Sequence, residues 1–119
     1  MPADPTSEPT DPEDRKILTL ARSTRARTRA SEGACVRDTD GRTYAGATVD
    51  LPSLRLSAVQ VAVAMAVSSG VAGLEAVAVL GESETARDAD LSVVRDLAGA
   101  GVTVLVAAAD GTVVQSTST

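Results

Sequence analysis

GACVRDTDGRTYAGATVDLPSLRLSAVQVAVAMAVSSG, residues Gly33–Gly70, is the stretch on which the fold turns. Its first half reads as strands. Ala34–Arg37 and Thr43–Val49 flank Asp38-Thr39-Asp40-Gly41, and an Asp-Gly between two such runs signals a hairpin. Its second half is ambiguous. Val59, Val61, Val63, Met65 and Val67 alternate with Gln60, Ala62, Ala64 and Ala66, a period of two that favours a strand. Against a strand, the run is long, the alternate residues are mostly Ala, and Gly70 stands where a helix would end. Periodicity alone leaves both open.

On either side the elements are plainer. Asp11-Pro12-Glu13-Asp14 is a helix start, with Pro and acids in the first turn. Ile17, Leu20, Ala21 and Thr24 mark one face of that helix, and Arg22, Arg25 and Arg29 mark another. Leu74–Leu80 reads as a buried strand followed by the polar loop Gly81–Thr85. Asp88 or Asp90 is expected to cap a helix with the apolar face Leu91, Val94, Leu97 and Ala98, ended by Gly99 and Gly101. Val102–Ala107 is another apolar strand, and Asp110-Gly111 turns the chain into a last strand, Thr112–Gln115. The tail, residues 116–119, is polar and expected to fray.

Composition narrows the class. A chain of 119 residues is one domain with a core of its own. It has no Phe, no Trp and only Tyr44, so Ala, Val and Leu must fill the interior. Each such side chain buries little area at about 25 cal/mol per Å², and burial at a subunit interface is one supplement. The single Cys35 excludes an internal disulfide framework and reads as a small buried apolar residue. No run is long enough to span a bilayer, and Asp4, Glu8 and Asp11 stand where a signal peptide would be basic and apolar. A cytoplasmic location and no membrane contact are expected. Without His, neither a Ser-His-Asp nor a Cys-His arrangement can form.

Charge is unevenly placed. Residues 1–14 hold five acids and no base, and residues 15–29 hold six bases and no acid. Residues 1–12, with four Pro, read as a disordered acidic tail before a domain over residues 13–115. Arg22, Arg25 and Arg29 form a basic patch that could meet an acidic protein surface or RNA phosphates. With no aromatic residues to stack on bases, RNA binding there would rest on phosphate charge alone. Glu82, Glu84, Asp88 and Asp90 form a loose acidic cluster without the ordered oxygen spacing of a Mg²⁺ or Ca²⁺ site, and read as a solvated loop.

Gly33-Ala34, Asp40-Gly41, Gly46, Ala66-Val67-Ser68 and Gly70 carry a resemblance. In that order they resemble the small nucleoside-type cytidine deaminases, whose motifs run Gly-Ala-Ala, Asp-Gly, Gly-x-Asn-x-Glu, Cys-Ala-Glu and Ala-Val-Ser-x-Gly. The resemblance spans residues 14–115 and implies an α/β fold, a three-layer α/β/α domain with a mixed five-stranded sheet. It makes residues 58–67 the central helix. It further implies a homodimer or homotetramer that buries this helix, with Ala62 and Met65 among the residues an isolated subunit would expose.

The motifs that carry the family's chemistry are missing. Hydrolytic deamination uses a Zn²⁺ on three protein ligands to make hydroxide, and a Glu to move protons. Counted back from Gly70, Cys-Ala-Glu falls on Ser57-Ala58-Val59. The second ligand motif, Pro-Cys-x-x-Cys, falls on Ala86-Arg87-Asp88-Ala89-Asp90. The degenerate positions are therefore Ser57, Val59, Arg87 and Asp90, and neither a metal nor a cofactor is expected. The family's ribose-holding Asn and Glu fall on Thr48 and Asp50, and its base-stacking aromatic on Ala30. The expectation is an inactive relative serving as a structural or regulatory interaction module. A second reading is a nucleoside or nucleotide sensor using the vestigial pocket at Thr48 and Asp50. A third is a deaminase with a non-standard or partner-supplied site.

Overall fold

The structure is a computed structural model and describes residues 11–119. Most of the expected acidic tail, residues 1–10, lies outside the described residues. Its last two residues belong to the first helix, α1 (Pro12–Thr28). Asp11 caps it by accepting the Glu13 amide at 2.8 Å, Pro12 needs no donor there, and Glu13 and Asp14 meet the positive helix end.

Five strands build the main sheet: β1 (Gly33–Asp38), β2 (Thr43–Ala47), β5 (Leu74–Leu80), β6 (Thr103–Ala107) and β7 (Val113–Ser118). Their order is β2-β1-β5-β6-β7, with β5 and β6 parallel and every other pair antiparallel. Successive strand residues face opposite sides, and the sequence sorts accordingly. Cys35, Ala76, Ala78, Leu80, Leu105 and Ala107 pack against Ile17, Leu18 and Ala21 of α1. Ala34, Val36, Val77, Val79, Val104 and Val106 face α2 (Ala58–Ser68) and α3 (Asp88–Ala98). The result is the expected three-layer α/β/α domain with a mixed five-stranded sheet. Cys35 is fully buried, and burial pushes its thiol up to about 11, so it stays protonated at neutral pH.

The ambiguous run is a helix. In α2 the buried residues are Ala58, Val59, Ala62, Val63 and Ala66, a helical spacing that the Val/Ala alternation hides. Met65 and Val67 are exposed, as expected for Met65, but Ala62 is fully buried within the single chain. Gly46 lets α2 approach β2, since a β-carbon there would stand 2.7 Å from Val61 Cγ1 and 2.9 Å from Ala62 N. The β1–β2 turn closes on Asp38, whose Oδ1 accepts the Asp40 and Arg42 amides at 2.9 Å. Gly41 supplies the positive φ of 85° that this turn needs.

Two expectations are corrected, and the stretch before Ser57 adds an element that the sequence did not suggest. β3 (Val49–Leu51) and β4 (Leu54–Leu56) form a separate hairpin, with Asp50 opposite Arg55 and Pro52-Ser53 at the turn. The C-terminal tail does not fray. β7 continues to Ser118 against β6, and Thr119 locks the end by accepting the Gly101 amide through its carbonyl and donating its amide to Val102 O. Polar Ser and Thr suit this edge strand because main-chain pairing, not side-chain burial, holds it. Finally, neither Asp88 nor Asp90 caps α3. Arg87 holds that position with no side-chain cap bond, and Asp88 and Asp90 lie inside the first turn.

Candidate functional site

The N-termini of α2 and α3 converge beside the residues that lead into β1. Ser57 caps α2 in a reciprocal box: its Oγ accepts the Gln60 amide at 3.1 Å, and Gln60 Oε1 accepts the Ser57 amide at 2.9 Å. The same hydroxyl donates to Asp90 Oδ1 at 2.6 Å. The chain enters α3 tethered from the sheet edge, where Gln115 Oε1 of β7 accepts the Ala86 amide at 2.8 Å. Arg87 then reaches across to donate to Glu32 Oε1 at 2.7 Å, with its NH1 atom 3.7 Å from Asp90 Oδ2. Both carboxylates are 7% exposed and the Arg87 side chain 51%. Gly81 leaves room for this, because a β-carbon there would stand 2.8 Å from Glu32 Cγ.

The electrostatics follow from burial. Burial pushes the Asp90 carboxyl above its ordinary value. The Ser57 hydrogen bond pulls the other way, nearby Glu32 adds to the rise, and Arg87 opposes it. Arg87 is held more firmly charged than usual, first by its hydrogen bond to Glu32 and then by that carboxylate's charge. Both groups therefore hold their protons more tightly, Asp90 because it is buried and Arg87 because Glu32 accepts its hydrogen bond.

The structure brings together Ser57, Arg87 and Asp90, far apart in sequence. Val59 does not join them. It is 1% exposed and packs in the α2 core, where it offers no proton-carrying group. Thr48 and Asp50 line a cleft of about 310 Å³ together with Glu32, Arg55, Ser57 and Arg87. Thr48 is spoken for within the fold: its Oγ1 accepts the Glu32 amide at 3.1 Å and lies 3.2 Å from Ser31 Oγ and 3.3 Å from Glu32 O. Asp50 is exposed and pairs across its hairpin with Arg55 at 3.3 Å. Ala30 precedes this corner and brings no ring to it.

Glu32 is the site residue that sequence reasoning missed. A signal exists: it is the one acid between Asp14 and Asp38, set directly before Gly33-Ala34. The basic patch is dispersed. Arg25 is half-buried and its Nε donates to Ser31 O at 3.1 Å, and Arg29 lies past the helix in a left-handed conformation, φ 55°. Arg22 is exposed and draws down the Asp110 carboxyl, behind the larger pull of the Thr112 hydrogen bonds. Among the described residues, no three His, Cys, Asp or Glu side chains gather as a metal site.

A family model described as "Cytidine deaminase-like" matches residues 10–111 of the chain. The chain belongs to that family. Among solved structures, the cytidine deaminase from Burkholderia pseudomallei superposes with a TM-score of 0.76 at 23% identity, covering 87% of this chain and 90% of that one. The cytidine deaminase from Mycobacterium leprae gives 0.67 at 19% identity, over 85% and 90%. The enzyme from Mycobacterium tuberculosis gives 0.69 at 23%, over 79% and 85%. At these identities the likeness speaks for the fold alone. No curated protein matches the chain.

The cytidine deaminase-like fold raises the question of zinc, and the donor set at the converging helix ends does not fit it. A zinc site takes about three protein ligands from thiolate, imidazole or carboxylate. Here Ser57 offers a neutral hydroxyl already donated to Asp90, and Arg87 brings a cation where another cation would have to sit. The remaining carboxylates, Asp90 and Glu32, number only two and both face the Arg87 guanidinium. Among the described residues, no helix is long and apolar enough to cross a membrane.

Proposed function

We propose that this cytidine deaminase-like chain is catalytically inactive and acts as a structural or regulatory interaction module. One observation carries the reading: the Ser57 Oγ to Asp90 Oδ1 hydrogen bond of 2.6 Å, between two positions that the resemblance gives to metal ligands. The hydroxyl is a neutral, weak donor to zinc, and here it gives its proton to the carboxylate instead. Val59 carries no proton-moving group, and the acids of the cleft are already engaged, Asp90 by Ser57, Glu32 by Arg87 and Asp50 by Arg55. The test is the zinc content of the chain purified from zinc-supplemented cells. Less than about one-tenth of an equivalent supports the reading, and one equivalent per chain contradicts it.

Assembly is part of the proposal. α2 exposes Met65 and Val67, and Leu51 and Leu54 stand out on the neighbouring hairpin. A groove of about 430 Å³ is lined by Val49 and Leu56 of the hairpin and by Val61, Ala64, Met65 and Ser68 of α2. Large apolar groups gathered in this way mark a contact surface, and a second copy in a homodimer or homotetramer is the partner proposed for it. Exposed Arg22 and Arg29 provide a second surface suited to an acidic partner. A free buried thiol suits a reducing cytoplasm.

The cleft beside Thr48 and Asp50 favours one further reading, a nucleoside or nucleotide sensor. Thermal-shift measurements with nucleosides and nucleotides separate the two. Stabilisation by a nucleoside that is lost in Asp50→Ala supports the sensor, and co-purifying protein without such stabilisation supports the module.

A further inference from the structure

We infer that Arg87 serves as the resident cation of this site, the single positive charge that joins Glu32, Asp90 and Ser57 into one staple across three elements. The inference rests on the reading that zinc has no place here, and it adds what replaces it. In a metal centre, one cation neutralises several anionic ligands and so ties together the elements that carry them. The same topology exists here without a metal. Glu32 comes from the α1–β1 connection, Ser57 from the start of α2, and Arg87 and Asp90 from the start of α3.

The geometry fits that role. One guanidinium nitrogen stands 2.7 Å from Glu32 Oε1 and 3.7 Å from Asp90 Oδ2, between two carboxylates that are almost wholly withdrawn from water. Removing a charge from such a cluster leaves its partners uncompensated, which costs far more than an exposed ion pair contributes. Ser57 extends the staple through its 2.6 Å bond to Asp90, and through its cap to the first turn of α2. Arg87 is half exposed, so no part of the packed core depends on its side chain. The effect of removing it therefore reads charge rather than packing.

The test is a coupling measurement on the full chain. Arg87→Gln keeps most of the side-chain volume and loses the charge. It should lower the melting temperature by about 5 °C, a half-exposed cation being discounted from a fully buried one. In a Glu32→Gln, Asp90→Asn background there is nothing left to neutralise, so the same substitution should shift it by less than about 1 °C. An equal loss in both backgrounds, or none in the native one, overturns the inference. Should Arg87→Gln fail to fold alone but fold in the neutralised background, the coupling is established by that rescue. Zinc found in the native chain would instead contradict the functional reading, and the stability coupling distinguishes that failure from this one.

Discussion

Ser57 and Asp90 are 33 residues apart and meet through a 2.6 Å hydrogen bond that fastens the start of α2 to the first turn of α3. The bond gives Asp90 the partner a nearly buried carboxylate requires. Around it, the positions that the resemblance assigns to metal ligands are bonded to one another.

Ser57→Ala removes two contacts at once, the α2 cap and the Asp90 partner. A lost cap costs about 1 kcal/mol, and a carboxylate left without its hydroxyl adds about 1–2 kcal/mol. Unfolding by denaturant should show a loss of about 2–3 kcal/mol with an unchanged slope. A loss below about 0.5 kcal/mol would mean that the two helix ends do not depend on each other.

Asp90→Asn predicts a pH dependence. The folded chain holds the Asp90 carboxyl above its ordinary value, because burial outweighs the Ser57 hydrogen bond. A raised carboxyl binds its proton more tightly folded than unfolded. Its contribution is fully present below the ordinary value, about 4, and is lost as pH rises through the raised folded value. Asn cannot ionise. The stability of the variant relative to the native chain should therefore climb as pH rises through that window and level off above it. A difference that is flat, or that falls, would contradict the account.

Much of this was legible in the sequence. The Asp38–Gly41 hairpin, the β5 strand and the amphipathic face of α1 follow from turn chemistry and periodicity, and Ser57, Arg87 and Asp90 could be picked out before any contact was visible. The α2 helix could not be read from its own pattern, since Ala fits a strand and a helix alike and the family likeness had to decide. The β3–β4 hairpin escaped because its strands are three residues each and its turn carries no Asn-Gly or Asp-Gly. The closing strand was read too short because Ser116, Thr117 and Ser118 look like a frayed end until β6 supplies a partner. Glu32 escaped because its partner Arg87 lies 55 residues away, and only its place as a lone acid before Gly33-Ala34 hinted at it.

The α2 surface predicts the oligomeric state. Val67→Lys or Met65→Lys places a charge on an exposed apolar side chain and should dissociate the assembly while leaving the isolated fold intact. Ala62→Glu should behave differently. Ala62 is fully buried in the single chain, so the charge should unfold it. Light scattering that gives a 12.0 kDa monomer of the native chain across micromolar concentrations would refute the proposed homo-oligomer.

The basic surface predicts a salt-dependent contact. Arg22→Glu with Arg29→Glu should abolish binding to an acidic partner without lowering the melting temperature, as both side chains are exposed. Arg25→Glu should lower it, because Arg25 holds Ser31 O beside β1. Binding that survives the double reversal would leave Arg22 and Arg29 as solvated charges.

The most direct test of the central claim is ammonia release from cytidine and deoxycytidine by the purified chain, with zinc supplied and with a chelator present. With Ser57, Arg87 and Asp90 bonded among themselves and Val59 in the core, release should not exceed the enzyme-free background in either condition. Turnover above background that the chelator abolishes would contradict the account, and would mean that these residues open to admit a metal.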